Sequence, residues 1–295
     1  MKLVGKFQKV NPMIPLYVLV GLLAISIPLR TFQLMFITDS KTGFYKFDNW
    51  SIYVMYALSV LAIIIPYIVV NLAKSVPSSQ NPPSRKNGFL AATSLLFGLG
   101  IIFDVIFSAL PMFLNKETTT TQAAAMQENM LPMIIEIIFG ICSAIYVIIF
   151  GISYIDGKTT YSQYKFLALT PLVWSIGRII IRFLRKIAYI NVADIMLELF
   201  SLAFMLIFLL ALARVSSGLA NEKSMRSIFA SGYVGAFFCL TANVPRLILS
   251  IIGRGDVLPA EHPLELCDLF FGLFAIAYIV NAMKCAKEND HAELE

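Results

Sequence analysis

Histidine is nearly absent from this chain, and cysteine is scarce. The two histidines, His262 and His291, fall outside every long apolar run. That argues against a histidine-based catalytic site or a His-rich metal centre in the body of the protein, while leaving Asp/Glu chemistry open. The four cysteines, Cys142, Cys239, Cys267 and Cys285, lie in or beside apolar segments without metal-ligand spacing. They read as small hydrophobes. No phosphate-binding glycine loop, dinucleotide fingerprint, HExxH pair or nucleophile elbow occurs. Charge is also sparse, at 14% of residues against the roughly 25% of a soluble domain. Nothing in the sequence specifies a cofactor, and an enzyme is the less favoured class.

What is abundant is apolar length. Of 295 residues, 58% are hydrophobic, and the mean hydropathy is +0.78. About 20 apolar residues suffice for a helix to cross the roughly 30 Å hydrocarbon layer. Eight such runs are expected, at 13–37, 51–73, 89–114, 131–155, 166–187, 193–214, 227–252 and 264–284. The fold class is therefore an all-α, polytopic membrane bundle. The break at Arg185–Val192 separates eight spans from seven, because 166–214 is far too long for one crossing and Asp194 reads as a helix start. The chain divides into an N-terminal segment 1–12, one bundle 13–287 and a tail 288–295. Lys2, Lys6 and Lys9 precede a first apolar segment with no small-residue cleavage site, so that segment reads as a retained helix rather than a signal peptide. Tyr17, Trp50, Tyr53, Tyr67 and Tyr154 are expected in an interfacial belt, and mid-helix phenylalanines against lipid.

The net charge of +5 is spread over many loops and does not read as a nucleic-acid footprint. With the N-terminus inside, the inner loops and termini carry thirteen Lys and Arg and the outer loops and helix rims seven. This bias places both termini in the cytosol, with the cytoplasmic membrane as the expected location.

Paired spans form four candidate hairpin repeats, 13–73, 89–155, 166–214 and 227–284. Arg30, Asp104, Arg178 and Arg246 occupy similar places in the first helix of each, at intervals of 74, 74 and 68 residues. Glu136, Glu198 and Glu265 open the second helices of the last three. Asp268 follows Glu265 by three residues and shares its face, and Asp194 and Glu198 share a face in the same way. All these groups are expected in one layer in the outer half of the membrane. Charge at the bilayer centre costs about 2.5–3.5 kcal/mol on insertion scales, so pairing is required. Proximity across each hairpin turn predicts Arg178 with Glu198 and Arg246 with Glu265. It leaves Arg30 to an acid of the second hairpin. Arg182, Arg185 and Lys186 read as a basic rim for lipid headgroups. Pro245 is expected to kink its helix beside Arg246. Gly98 and Gly100 are a weak signal for close helix approach, being two rather than four residues apart.

Two uses compete for the charged layer. Bases at helix C-termini and acids at N-termini complement the macrodipole and would lock each hairpin. Several charged groups at one depth would also line a polar cavity. The functional expectation is binding or transport of a small solute or ion at Arg30, Asp104, Glu136, Arg178, Glu198, Arg246, Glu265 and Asp268. Arg178 and Arg246 would hold an anionic group, and the carboxylates would hold the arginines or couple a proton or cation. The alternative is a non-transporting sensor, assembly factor or subunit of a membrane-protein partner, with structural Arg–Glu pairs. The lipid bilayer is the one partner both readings share.

The orientation is testable. In a background free of native cysteines, Cys at Ser79 should react with an impermeant maleimide only after permeabilisation, and Cys at Thr120 in intact cells; the reverse pattern contradicts the N-inside topology.

Overall fold

The computed structural model describes residues 14–39, 44–73, 86–114, 130–158, 160–184, 192–219, 222–258 and 264–292. Eight helices carry it: α1 Ile14–Phe32, α2 Trp50–Leu72, α3 Gly88–Leu114, α4 Met130–Asp156, α5 Thr170–Leu184, α6 Val192–Ser216, α7 Glu222–Ile251 and α8 Leu266–Ala292. A π-helical turn, Gln33–Ile37, extends α1. The described residues hold no strand, only one bridge between Thr38 and Tyr45. Together with the 3-10 turn Leu167–Leu169 that leads into α5, all eight helices are long and apolar enough to span a membrane, so the chain is a polytopic membrane protein. Among the described residues α5 ends at Leu184 and α6 starts at Val192 as separate helices, which gives eight spans rather than seven. That break, the 115–129 loop, Pro77, Pro82, Pro83, the N-terminal lysines, Arg185, Lys186 and His262 lie outside the described residues, as does the side chain of His291.

Local chemistry sets the helix ends. The Asn49 side-chain oxygen Oδ1 accepts from the Ser51 backbone N–H at 3.0 Å, capping α2. Asn87 caps α3 by accepting from the N–H groups of Phe89 and Leu90, which have no intrahelical partner. Helix α7 ends at Gly253, whose φ of 78° takes the left-handed conformation that lets the Arg254 N–H reach back to the Leu249 carbonyl. Pro28, Pro66 and Pro245 all sit within continuous helices. The helix that carries Pro245 runs on to Ile251.

The packing order is not a row of four hairpins. Helices α3, α4, α5, α6, α7 and α8 each touch the next, and α8 returns to α3, so six helices close a ring. The α1–α2 pair stands outside it, against α7. Two polar clamps hold that pair. Arg226 at the start of α7 donates to the Val70 and Ala73 carbonyls at the C-terminus of α2, at 2.8 and 2.9 Å. At the opposite end Arg30 of α1 pairs with Asp194 of α6. A hairpin's two helices are not always each other's main partners: α3 and α4 pack most extensively on one another, but α6 lies more extensively against α7 than against α5.

Aromatic side chains fill the ring. Phe97 of α3 stacks on Phe274 of α8 at 5.5 Å and meets Trp174 of α5 edge-on at 6.4 Å. Phe208 of α6 meets Phe271 edge-on at 5.4 Å, and Phe150 of α4 meets Phe274 at 5.8 Å. Each such pair contributes about 0.5–1.5 kcal/mol beyond area burial. The expectation of lipid-facing phenylalanines therefore fails for these residues, which are buried. Tyr154 likewise leaves the expected belt for the core, and Tyr67 packs against Phe204, whereas Tyr17, Trp50 and Tyr53 are exposed.

Close approach of α3 to its neighbours depends on glycine. Gly98 faces Ile148 of α4, while a Cβ on Gly100 would lie 3.0 Å from the Cys267 backbone of α8. The two-residue spacing thus serves two interfaces on different faces of one helix. Gly100→Ala is expected to lower stability in detergent by about 1–3 kcal/mol, the usual range for overpacking. Gly21→Ala, with nothing within 4 Å, should leave the melting midpoint unchanged or higher. Equal midpoints for both variants would contradict the packing assignment.

Candidate functional site

Every residue singled out in the charged layer lies at the end of the bundle where odd-numbered helices finish and even-numbered helices start. The layer is divided into two clusters. Arg178, one turn beyond Trp174 on α5, centres the first. Its Nη1 lies 2.6 Å from Asp268 Oδ1, its Nη2 3.0 Å from Glu265 Oε2 and its Nε 3.2 Å from Asp104 Oδ2. All three guanidinium nitrogens therefore meet carboxylates, from α3, the start of α8 and the residue just before it. The guanidinium carbon stands 5.2 Å from the centroid of the Trp174 ring. The second cluster centres on Asp194, whose Oδ1 pairs with Arg30 and, at 3.3 Å, with Arg246. Arg30 is further held by Gln33 at 2.9 Å and Tyr45 at 3.2 Å. Gln33 in turn donates to the Ser51 carbonyl at the start of α2. The π-turn places Gln33 in this cluster.

These contacts correct the hairpin pairing. Arg178 does not pair with Glu198, nor Arg246 with Glu265. Arg182, one turn nearer the loop than Arg178, takes Glu198. Arg178 is directed into the ring, where burial at 7% exposure makes several counter-charges favourable over one. Arg30 takes its partner from α6 rather than from the second hairpin. Asp194 is more than a helix start: at 1% exposure it is the shared counter-ion of two buried arginines. Arg182 is not a headgroup-facing rim residue but part of the chamber wall. The signal for Arg182 was present, since it lies one turn from Arg178 on the same face; the signal for Asp194 was its one-turn spacing from Glu198.

The first cluster lines a cavity of about 50 Å³, with walls from Asp104, Glu136, Arg178, Arg182, Glu198 and Glu265. Five parts of the chain contribute to it. Trp174 and Phe271 lie one turn from Arg178 and Asp268 toward the middle of the bundle, so the aromatic filling of the ring forms a floor beneath the charged cluster rather than a wall of the cavity. Among the described residues, the first cluster brings together two cations (Arg178 and Arg182) and five acids (Asp104, Glu136, Glu198, Glu265 and Asp268), and the Asp194 cluster two cations and one acid. The two adjoin along α6, where Asp194 and Glu198 are one turn apart. They also adjoin through Asn243, whose Oδ1 accepts from the Glu265 N–H at 3.0 Å. Of the eight residues expected to form one site, Asp104, Glu136, Arg178, Glu198, Glu265 and Asp268 come together here. Arg30 and Arg246 belong to the neighbouring cluster. Among the described residues no group of three or more His, Cys, Asp or Glu side chains is arranged to hold a metal ion.

No protein-family model, curated protein or solved structure matches the chain. The class it belongs to is set by its own architecture: an eight-span, all-α membrane protein with a charged chamber at one end of a six-helix ring.

Removing Asp194 leaves two guanidiniums buried without their shared carboxylate. Asp194→Asn is expected to destabilise by about 3–5 kcal/mol, the cost of breaking a buried pair. Glu222→Gln breaks the half-exposed pair with Arg226 and should cost under about 1 kcal/mol. Chemical unfolding in detergent distinguishes these outcomes, and similar losses for both would contradict the assignment of Asp194 as the hub.

Proposed function

We propose that the protein binds a small solute or ion in the charged chamber and carries it across the membrane. The observation that supports this is the convergence of six charged side chains from five parts of the chain on one cavity. Placing so many ionisable groups inside an apolar bundle is costly, and polar groups at such depth usually line a ligand or ion path. The anion-binding role first expected for Arg178 and Arg246 is set aside. Arg178 already meets three carboxylates, and Arg246 meets Asp194. With the N-terminus in the cytosol, the chamber opens outward, and the aromatic floor separates it from the other side. Transport then requires the ring helices to shift so that the floor opens, as in alternating access.

A second reading, a sensor or partner subunit, has one observation in its favour. The arginine–carboxylate contacts join different helices, as purely structural bridges would. Flux separates the two. Purified protein in proteoliposomes should show saturable uptake of a member of a panel of ions, amines, amino acids and organic acids. Glu136→Gln should reduce that uptake at least tenfold while leaving the melting midpoint within a few degrees. No uptake of any panel member, together with stable co-purification of another membrane protein, would favour the subunit.

A further inference from the structure

The chamber's contents indicate what kind of solute it takes. Three carboxylates surround a single guanidinium, one near each nitrogen: Asp268 and Glu265 accept hydrogen bonds from Nη1 and Nη2, and Asp104 forms an ion pair with Nε at 3.2 Å. The three differ in access. The Asp268 side chain is 2% exposed, whereas those of Asp104 and Glu265 are 22% and 23% exposed and line the cavity. Glu136 lines the same cavity from α4, outside the Arg178 trio. Arg178 is therefore anchored from below and held from the cavity side by two carboxylates that a visitor can reach.

We infer that the chamber recognises a small organic cation with N–H donors, a guanidinium or primary ammonium head group, and that Arg178 acts as its built-in surrogate. On this account the entering cation takes Asp104 and Glu265, with Glu136 as a further acceptor. Arg178 stays on Asp268 and gives up its cavity-side contacts. The exchange replaces the contacts that Arg178 gives up with charge-assisted hydrogen bonds from the visitor. A cavity of about 50 Å³ accommodates a head group of a few heavy atoms. A metal ion is disfavoured because the carboxylates point at a guanidinium rather than at a common vacant centre, in keeping with the lack of a metal-like grouping among the described residues. The inference rests on the reading of the chamber as a solute site.

Trp174 provides the readout. It lies directly beneath the Arg178 guanidinium, and the chain's other tryptophan, Trp50, is exposed on α2. The full chain carrying Trp50→Phe is titrated in detergent with methylguanidinium, methylammonium, tetramethylammonium and acetate at constant ionic strength, and the emission of Trp174 is followed. Saturable changes are expected with methylguanidinium and methylammonium. Tetramethylammonium, which has the charge but no N–H donor, should bind at least tenfold more weakly. Adding Glu136→Gln should weaken methylguanidinium about tenfold or more, as loss of a charge-assisted hydrogen bond does, with the melting midpoint within a few degrees of its parent. Saturation by acetate, or equal affinity for tetramethylammonium, would overturn the N–H-cation assignment while leaving a charged-solute site in place. Failure of all four to saturate would overturn the inference, and absence of flux for the wider panel would remove the solute-site reading as well.

Discussion

The constraint on which the structure depends is that ionised groups inside an apolar bundle must neutralise one another. An isolated charge in this setting costs several kcal/mol, and a broken pair costs about as much. Four arginines and six carboxylates lie at one end of the helices, and each described ion pair there links side chains of different elements. The pairs therefore cross-link the helices at that end, whereas the most extensive helix contact, α3 against α4, is made by packing. Arg178 draws α3, α5 and α8 together across the ring. Asp194 ties α1 and α7 to α6, and so brings the outlying α1–α2 pair to the six-helix body.

Below that level, packing is governed by aromatic volume and by small residues. Phe97, Phe208, Phe271 and Phe274 interlock across the ring interior, and Gly98 and Gly100 let α3 approach α4 and α8. This arrangement gives the molecule two unlike halves along its axis. One carries the buried charges and the cavity, and the interior of the other is packed with aromatic side chains. The division confines any solute to one end unless the helices move, which makes the aromatic floor as consequential as the charges above it.

Much of the fold was legible in the sequence because lipid imposes a simple rule: every apolar run of sufficient length became a helix. The charged layer was legible for the same reason, since Arg178, Glu198 and Asp268 interrupt otherwise apolar runs. Partner choice was not. Hairpin proximity suggested Arg178 with Glu198, but side-chain direction around each helix decides the pair, and that depends on which non-sequential helices close the ring. The contact between α3 and α8, separated by more than 150 residues of chain, has no local signature. Asp194 was read as a helix start sharing a face with Glu198, and its role between Arg30 and Arg246 arises only when three helices assemble. Phenylalanine was similarly ambiguous: lipid and a membrane-protein core are alike in polarity, so hydropathy cannot assign it to either.

The central claim is that the ring encloses a chamber reachable from water and negative in potential. Ser108 lines that chamber without bearing charge. Cysteine introduced there, in a chain whose four native cysteines are replaced by alanine, measures both properties through its rates of reaction with cationic and anionic methanethiosulfonates of similar size. The account predicts a reactive position with the cationic reagent faster by at least tenfold, and a ratio that shrinks as salt is raised. An unreactive position, or a faster reaction with the anion, would contradict it.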